Sequence, residues 1–185
     1  MLADIYHRLL KEFGDTLEQT SEDSDERINQ TGRGVFMTSC RKKVVNFDKF
    51  KDSVVKQYAL NNSPNSCDAL YMHNEQEWFL IEFKNGKIDE KKVFQIRGKI
   101  FQSLLLLTEQ LDKTICFTRE NLDFILVYNE DIARIEIGKS LCKLANDAPF
   151  FPFGLEGLQK LYFKKVSVWT KKEFDSNFVQ EYGGI

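Results

Sequence analysis

The seven residues Trp78-Phe79-Leu80-Ile81-Glu82-Phe83-Lys84 constrain this chain more than any other stretch. Alternate residues of a strand point to opposite faces, so Phe79, Ile81 and Phe83 share one face while Leu80, Glu82 and Lys84 share the other. A strand apolar on both faces belongs inside a sheet that is covered on both sides. This one ends in two charges, and charges so close to a core are costly unless they pair with each other or hold a cation.

The neighbouring segments extend the pattern. Residues 66–72 form a second strand candidate, separated from the first by the polar His73-Asn74-Glu75-Gln76-Glu77, which predicts a hairpin. The partner strand carries Asp68, which reaches the face of Glu82 if the register is favourable. After Asn85-Gly86, residues 89–111 read as one long helix opened by acids that suit the helix dipole. Its end, Leu104-Leu105-Leu106-Leu107, is apolar all round, and predicts cover by the sheet and by either another helix or a second subunit.

Further strands are expected at 35–37, 44–45, 124–128 and 162–169. Helices are expected at 2–13, from a cap at Asn46 or Asp48 through Phe47, Phe50, Val54 and Tyr58, and at 172–182. The fold class that follows is α/β, a central mixed sheet flanked by helices. A chain of 185 residues suits one domain, with an N-terminal part over 1–45 and a core over 46–185. Residues 12–26 contain seven acids and no base, which predicts a solvated linker, or else an acidic arm over a basic groove. Pro149-Phe150-Phe151-Pro152-Phe153 reads as a packed loop over the core or an interface patch rather than a base-stacking surface.

Charge excludes one class of function. The formal net charge of -2 does not suit a protein that coats nucleic acid with its whole surface, so any such contact must come from a local patch. No run of eighteen apolar residues marks a membrane span, and residues 1–13 carry charges where an export signal would be apolar. Four widely spaced cysteines and two histidines offer no zinc pattern, and the expectation is a reduced, cytoplasmic protein.

Two carboxylates held close together will share a proton or a divalent ion, and oxygen-only ligands suit magnesium or manganese. With Lys84 two residues beyond Glu82, the set has the parts to position a phosphodiester, activate water and stabilise charge building on the phosphate.

Ser66-Cys67-Asp68, thirteen intervening residues and Ile81-Glu82-Phe83-Lys84 resemble the signature of the PD-(D/E)XK nuclease superfamily. The order helix, hairpin, long helix, strand over 47–128 resembles that superfamily's restriction-endonuclease-like core. The stretch 81–88 is also similar to a group of uncharacterised bacterial proteins placed there. The resemblance implies that Asp68, Glu82 and the backbone carbonyl of Phe83 are ligands for Mg or Mn, and that Lys84 orients or activates the attacking water. Cys67 stands in place of the motif's proline, and the preceding helix lacks the glutamate that some members supply; Asp48 and Asp52 are the candidates to replace it. The QxxxY element is absent, although Gln95 and Gln102 lie on the corresponding helix.

Residues 84–99 hold six bases (Lys84, Lys87, Lys91, Lys92, Arg97, Lys99) against two acids, and residues 160–172 hold five bases and no acid. If both patches face one cleft they track a phosphate backbone; otherwise they are two solvated faces. Two functions compete. One is a Mg- or Mn-dependent phosphodiesterase acting on nucleic acid, DNA before RNA. The other is a nuclease-fold binding or immunity-like module without the chemistry, working through the acidic arm, the leucine-rich helix or a homodimer surface.

Overall fold

The computed structural model describes residues 2–23, 35–131 and 152–184. Its centre is a six-stranded mixed sheet in the order β1 (Gly14–Thr16), β4 (Lys43–Asn46), β5 (Ala69–Asn74), β6 (Glu77–Lys84), β7 (Leu122–Tyr128), β8 (Lys165–Thr170). A separate ribbon pairs β2 (Glu22–Asp23) with β3 (Val35–Phe36). β5 and β6 form the expected antiparallel hairpin, while β6, β7 and β8 run parallel to one another. Parallel neighbours need a long connection, and between β6 and β7 it carries α4 (Glu90–Leu111) and α5 (Ile115–Asn121).

The alternation read in β6 separates two cores. Trp78 and Leu80 lie in one cluster with Tyr6 and Leu9 of α1 (Leu2–Phe13), Phe47 and Phe50 of α3 (Phe47–Gln57), and the inner face of α4. Phe79, Ile81 and Phe83 lie in the other, under the closing helical run. That run starts as an α-turn at Lys171–Phe174, widens into a π-turn at Asp175–Val179 and ends at Gln180–Tyr182. Its aromatics Phe174, Phe178 and Tyr182 recur every four residues. In an α-helix four residues overshoot a full turn by about 40°. The π-turn takes more residues per turn and offsets that drift, so Phe174 stays on Phe83 while Phe178 and Tyr182 both reach Phe79.

Several expectations change. The acidic segment is ordered over residues 14–23: β1 pairs with β4 at the sheet edge, and α2 (Leu17–Thr20) follows with Leu17 fully buried. A reciprocal capping box holds it, Thr16 Oγ1 accepting from the Gln19 N–H and Gln19 Oε1 from the Thr16 N–H. Asp15 meets Lys49 at 2.7 Å. One apolar anchor and local pairing outweigh the like-charge repulsion that predicted a linker. Residues 24–26 of that stretch lie outside the described residues, as do Cys142 and residues 149–151 of the phenylalanine-rich loop.

Asn46 caps α3 and Asp48 lies inside the helix; Tyr58 falls beyond its end and is 60% exposed. The 162–169 strand begins later, at Lys165, and α5 has no counterpart among the expected elements. Within this chain the leucine run is covered on one side: Leu104 and Leu107 are buried, but Leu105 is 68% exposed, so no other described helix covers it and the second-subunit alternative stands. No described helix is long and apolar enough to cross a membrane.

Gly14 joins α1 to β1 so tightly that an added Cβ would stand 2.2 Å from the Leu10 carbonyl oxygen, a backbone atom with little freedom to retreat. Gly14→Ala is therefore expected to destabilise the protein by about 1–3 kcal/mol, as overpacking does. A lowered urea midpoint at unchanged slope checks this.

Candidate functional site

The end of β6 sets the geometry. Glu82 points to the α4 face and is wholly buried. Asp68 sits just before β5. Its N–H donates to the Ile81 carbonyl (3.0 Å), and its Oδ2 accepts from the Phe83 N–H (2.6 Å). These two bonds fasten the Asp68 carboxylate beside Glu82, on backbone rather than on a mobile side chain.

α4 supplies the rest. Ile96, Ile100, Leu104 and Leu107 dock it on the sheet, and that docking turns Lys99 and Ser103, one helical turn apart, towards the start of β5. Lys99 Nζ lies 2.8 Å from Glu82 Oε1 and 3.5 Å from Asp68 Oδ1. Ser103 Oγ accepts from the Cys67 N–H at 2.8 Å, and Gln102 Oε1 accepts from the Asn65 N–H. Lys84 Nζ also meets Glu82 Oε1, at 2.5 Å. One carboxylate oxygen thus carries two ammonium groups, while its twin, Glu82 Oε2, is buried with no hydrogen-bond partner.

The electrostatics follow from this crowding. Burial, and then the charge of Glu82, push the Asp68 carboxyl up to about 7, although Lys99, Lys84 and the Phe83 N–H pull the other way. Burial disfavours the charge on Lys99, but Glu82 and Asp68 outweigh it and hold the ammonium well above lysine's usual range. Burial and the nearby Glu82 charge raise the Cys67 thiol, which is fully buried and unsuited to act as a nucleophile.

Asp68, Glu82 and Lys84 therefore converge, and the residue that spacing alone assigned elsewhere is Lys99. It was expected on a nucleic-acid surface, yet it lies between the two carboxylates. The signal was present as a polar line at 99, 102 and 103 on a helix whose core positions are 96, 100 and 104. Asp48 and Asp52 stay outside: their side chains are 54% and 59% exposed, both pair with Lys51, and Asp48 also accepts from Ser66 Oγ. Among the described residues no three acidic, histidine or cysteine side chains converge as a metal-holding group.

The basic patches divide. Lys91 and Lys92 are exposed, and Lys87 is exposed but engaged. Arg97 donates to the Gly154 carbonyl instead of facing open solvent alone. Lys165 is level with Asp123 and Phe79, at the far end of the sheet from Lys84. Lys171 and Lys172 follow Thr170, which is level with Tyr128 and Lys84, so only this part of the second patch shares the site's end of the sheet.

Two measurements test the electrostatics. Lys99→Met leaves the buried Glu82 with Lys84 alone, and is expected to cost about 3 kcal/mol, at the low end for breaking a buried pair. The double change Lys99→Met with Glu82→Leu should recover most of that loss in urea unfolding. The raised Asp68 carboxyl keeps a proton in the folded protein that the unfolded chain has lost, so its contribution to stability falls as pH rises from about 4 to about 7. Unfolding curves at pH 5 and pH 8 should show that loss, and Asp68→Asn should flatten it.

Comparison with family models, with curated proteins and with solved structures finds no match, and the cluster is read from its own geometry.

Proposed function

We propose that this end of the sheet is the active site of a Mg- or Mn-dependent phosphodiesterase acting on DNA, built on a PD-(D/E)XK-type core. The observation that carries the reading is the unpartnered Oε2 of the wholly buried Glu82, next to Asp68. A buried carboxylate oxygen without a partner is costly, and a hard cation is a partner its chemistry fits.

Asp68 and Glu82 would hold the ion, with the Phe83 carbonyl as a third donor. The N–H and C=O of an extended residue point to the same side of a strand, and the Phe83 N–H points at Asp68. The Cys67 N–H, the next donor along that edge, goes to Ser103. When bound, the ion would supply Lewis-acid polarisation of the phosphate and of water. Lys84, 23% exposed at the strand end, orients the water by hydrogen bonding. Lys99 holds the carboxylates at a fixed separation and adds positive charge opposite the phosphate. Lys91 and Lys92, further up α4, extend the positive field along a phosphate backbone.

A specific observation favours the second reading, a nuclease-fold interaction module without chemistry. The two ammonium groups already balance the two carboxylates, so the cluster can persist as an ion-pair network with no metal. On that reading partner contact falls to the exposed side of α4 at Leu105, through a homodimer or another protein.

The readings separate by calorimetry and by cleavage. The nuclease reading expects Mn²⁺ to bind with an affinity that rises as pH passes about 7, because Asp68 must release its proton. It also expects Mg²⁺- or Mn²⁺-dependent cleavage of DNA that drops at least about a hundredfold in Glu82→Ala and in Lys84→Ala. Undiminished cleavage in both variants removes the mechanism, and absence of binding in the wild-type protein favours the module.

A further inference from the structure

α4 carries two apolar stripes. Ile96, Ile100, Leu104 and Leu107 face the sheet. Phe94 and Leu105, 79% and 68% exposed, and Phe101, 38% exposed, lie on the far side of the helix. With Gly98 they follow one another at steps of four, three and four residues, the spacing of a seam that packs on a second helix. Seven large apolar side chains are exposed among the described residues, and three of them are on this seam. A fourth, Leu161, precedes Tyr162, whose ring packs on Phe101 at 5.2 Å. So concentrated an apolar surface marks a contact.

Two further features say what covers it. Gly98 stands at mid-helix, where glycine is a poor helix former, and a Cβ added there meets nothing within 4 Å. No described neighbour requires the glycine, and a bare backbone in the middle of an exposed seam lets another helix come close. Lys91 and Glu109, both exposed, border the seam on one side. They are eighteen residues apart, which is five whole turns. The midpoint between them is residue 100, and that between Phe94 and Leu105 falls between residues 99 and 100. A second α4 running in the opposite direction about that point sets Phe94 on Leu105 of the second copy and Lys91 on its Glu109, each twice by symmetry. A parallel copy would set Lys91 on Lys91 and Glu109 on Glu109.

We propose that the chain forms a twofold dimer through this face of α4, as two antiparallel helices that approach most closely beside Gly98. Phe94, Phe101 and Leu105 are covered between them, and a Lys91–Glu109 pair closes each end. The apolar seam supplies the affinity and the charged ends select the orientation. The dimer takes up the contact surface of the second reading but stands under either one. Lys99 and Ser103 lie about 130° and about 170° round the helix from the seam, so the carboxylate cluster stays uncovered. Lys91 is drawn into the interface, while Lys92 stays on the side of the cluster.

Sedimentation equilibrium of the full chain over a hundredfold range of concentration tests this. Twice the mass of one chain is expected, with dissociation on dilution. Phe94→Glu combined with Leu105→Glu, both at exposed positions, should weaken the dimer at least tenfold with the far-ultraviolet circular dichroism unchanged. Gly98→Gln should also weaken it at least tenfold while leaving the monomer no less stable to urea, since it puts a better helix former into open space. Lys91→Glu and Glu109→Lys should each weaken it at least about fivefold, and the two together should restore it, a pattern that the antiparallel arrangement gives and the parallel one does not. A monomer at every concentration overturns the proposal and leaves the seam to a different protein. Single charge reversals without effect, undiminished association of Gly98→Gln, or a mass above two chains each overturn it as well. None of these outcomes depends on whether the protein cleaves DNA.

Discussion

The wholly buried carboxylate of Glu82 is the constraint around which this end of the molecule is arranged. An isolated carboxylate in a core pays a desolvation cost of several kcal/mol even after relaxation. Here it stands only because Lys99 and Lys84 reach the same oxygen. Lys99 reaches it because Ile96, Ile100, Leu104 and Leu107 fix the rotation of α4 on the sheet. A rotation of one residue, about 100°, would carry the ammonium away from Glu82 and a core isoleucine out of the core. The apolar stripe and the ion pairs therefore select the same docking, and neither is independent of the other.

The two faces of β6 do different work. The odd-numbered face is closed by aromatics, with Phe83 against Phe174 and Phe79 against Phe178 and Tyr182. It contains no charged member, and its role is to hold the strand immobile. The even-numbered face passes from Trp78 and Leu80 to Glu82 and Lys84, from a dry core to a polar end. The carboxylate is thus displayed from a rigid strand with backbone bonds on its neighbour Asp68, an arrangement that fixes how the two carboxylates stand to each other.

How much of this was legible in the residues varied with how local the determining physics was. Strand alternation and the hairpin place Asp68, Glu82 and Lys84 in one neighbourhood, because a period of two and a short polar turn are visible in a single stretch. The helix at α4 was legible from Asp89 to Leu111 for the same reason. Lys99 was not, since its role depends on how a helix docks on a sheet formed by other segments. At Leu105 four successive leucines look alike in the sequence, although the docked helix turns Leu104 and Leu107 inward and leaves Leu105 exposed, so of the two covers expected there only a second subunit is left. The acidic stretch was misread because net charge hid a three-residue edge strand and the anchor at Leu17, features shorter than any periodicity can reveal.

The charge count of the cluster bears on which of the two functional readings is favoured. With both carboxylates ionised, Asp68 and Glu82 are cancelled by Lys84 and Lys99, and nothing in Coulomb's law then calls for a further ion. The balance is not kept at every pH, however, because crowding gives the Asp68 carboxyl a proton up to about 7 and leaves the cluster net positive. A divalent ion that displaced that proton would leave it more positive still. Both states are net positive, the sign that the proposed phosphodiester site calls for. A cluster selected only for packing would also be expected to satisfy Glu82 Oε2, whereas this one leaves that oxygen buried and unpartnered beside a group poised to exchange its proton.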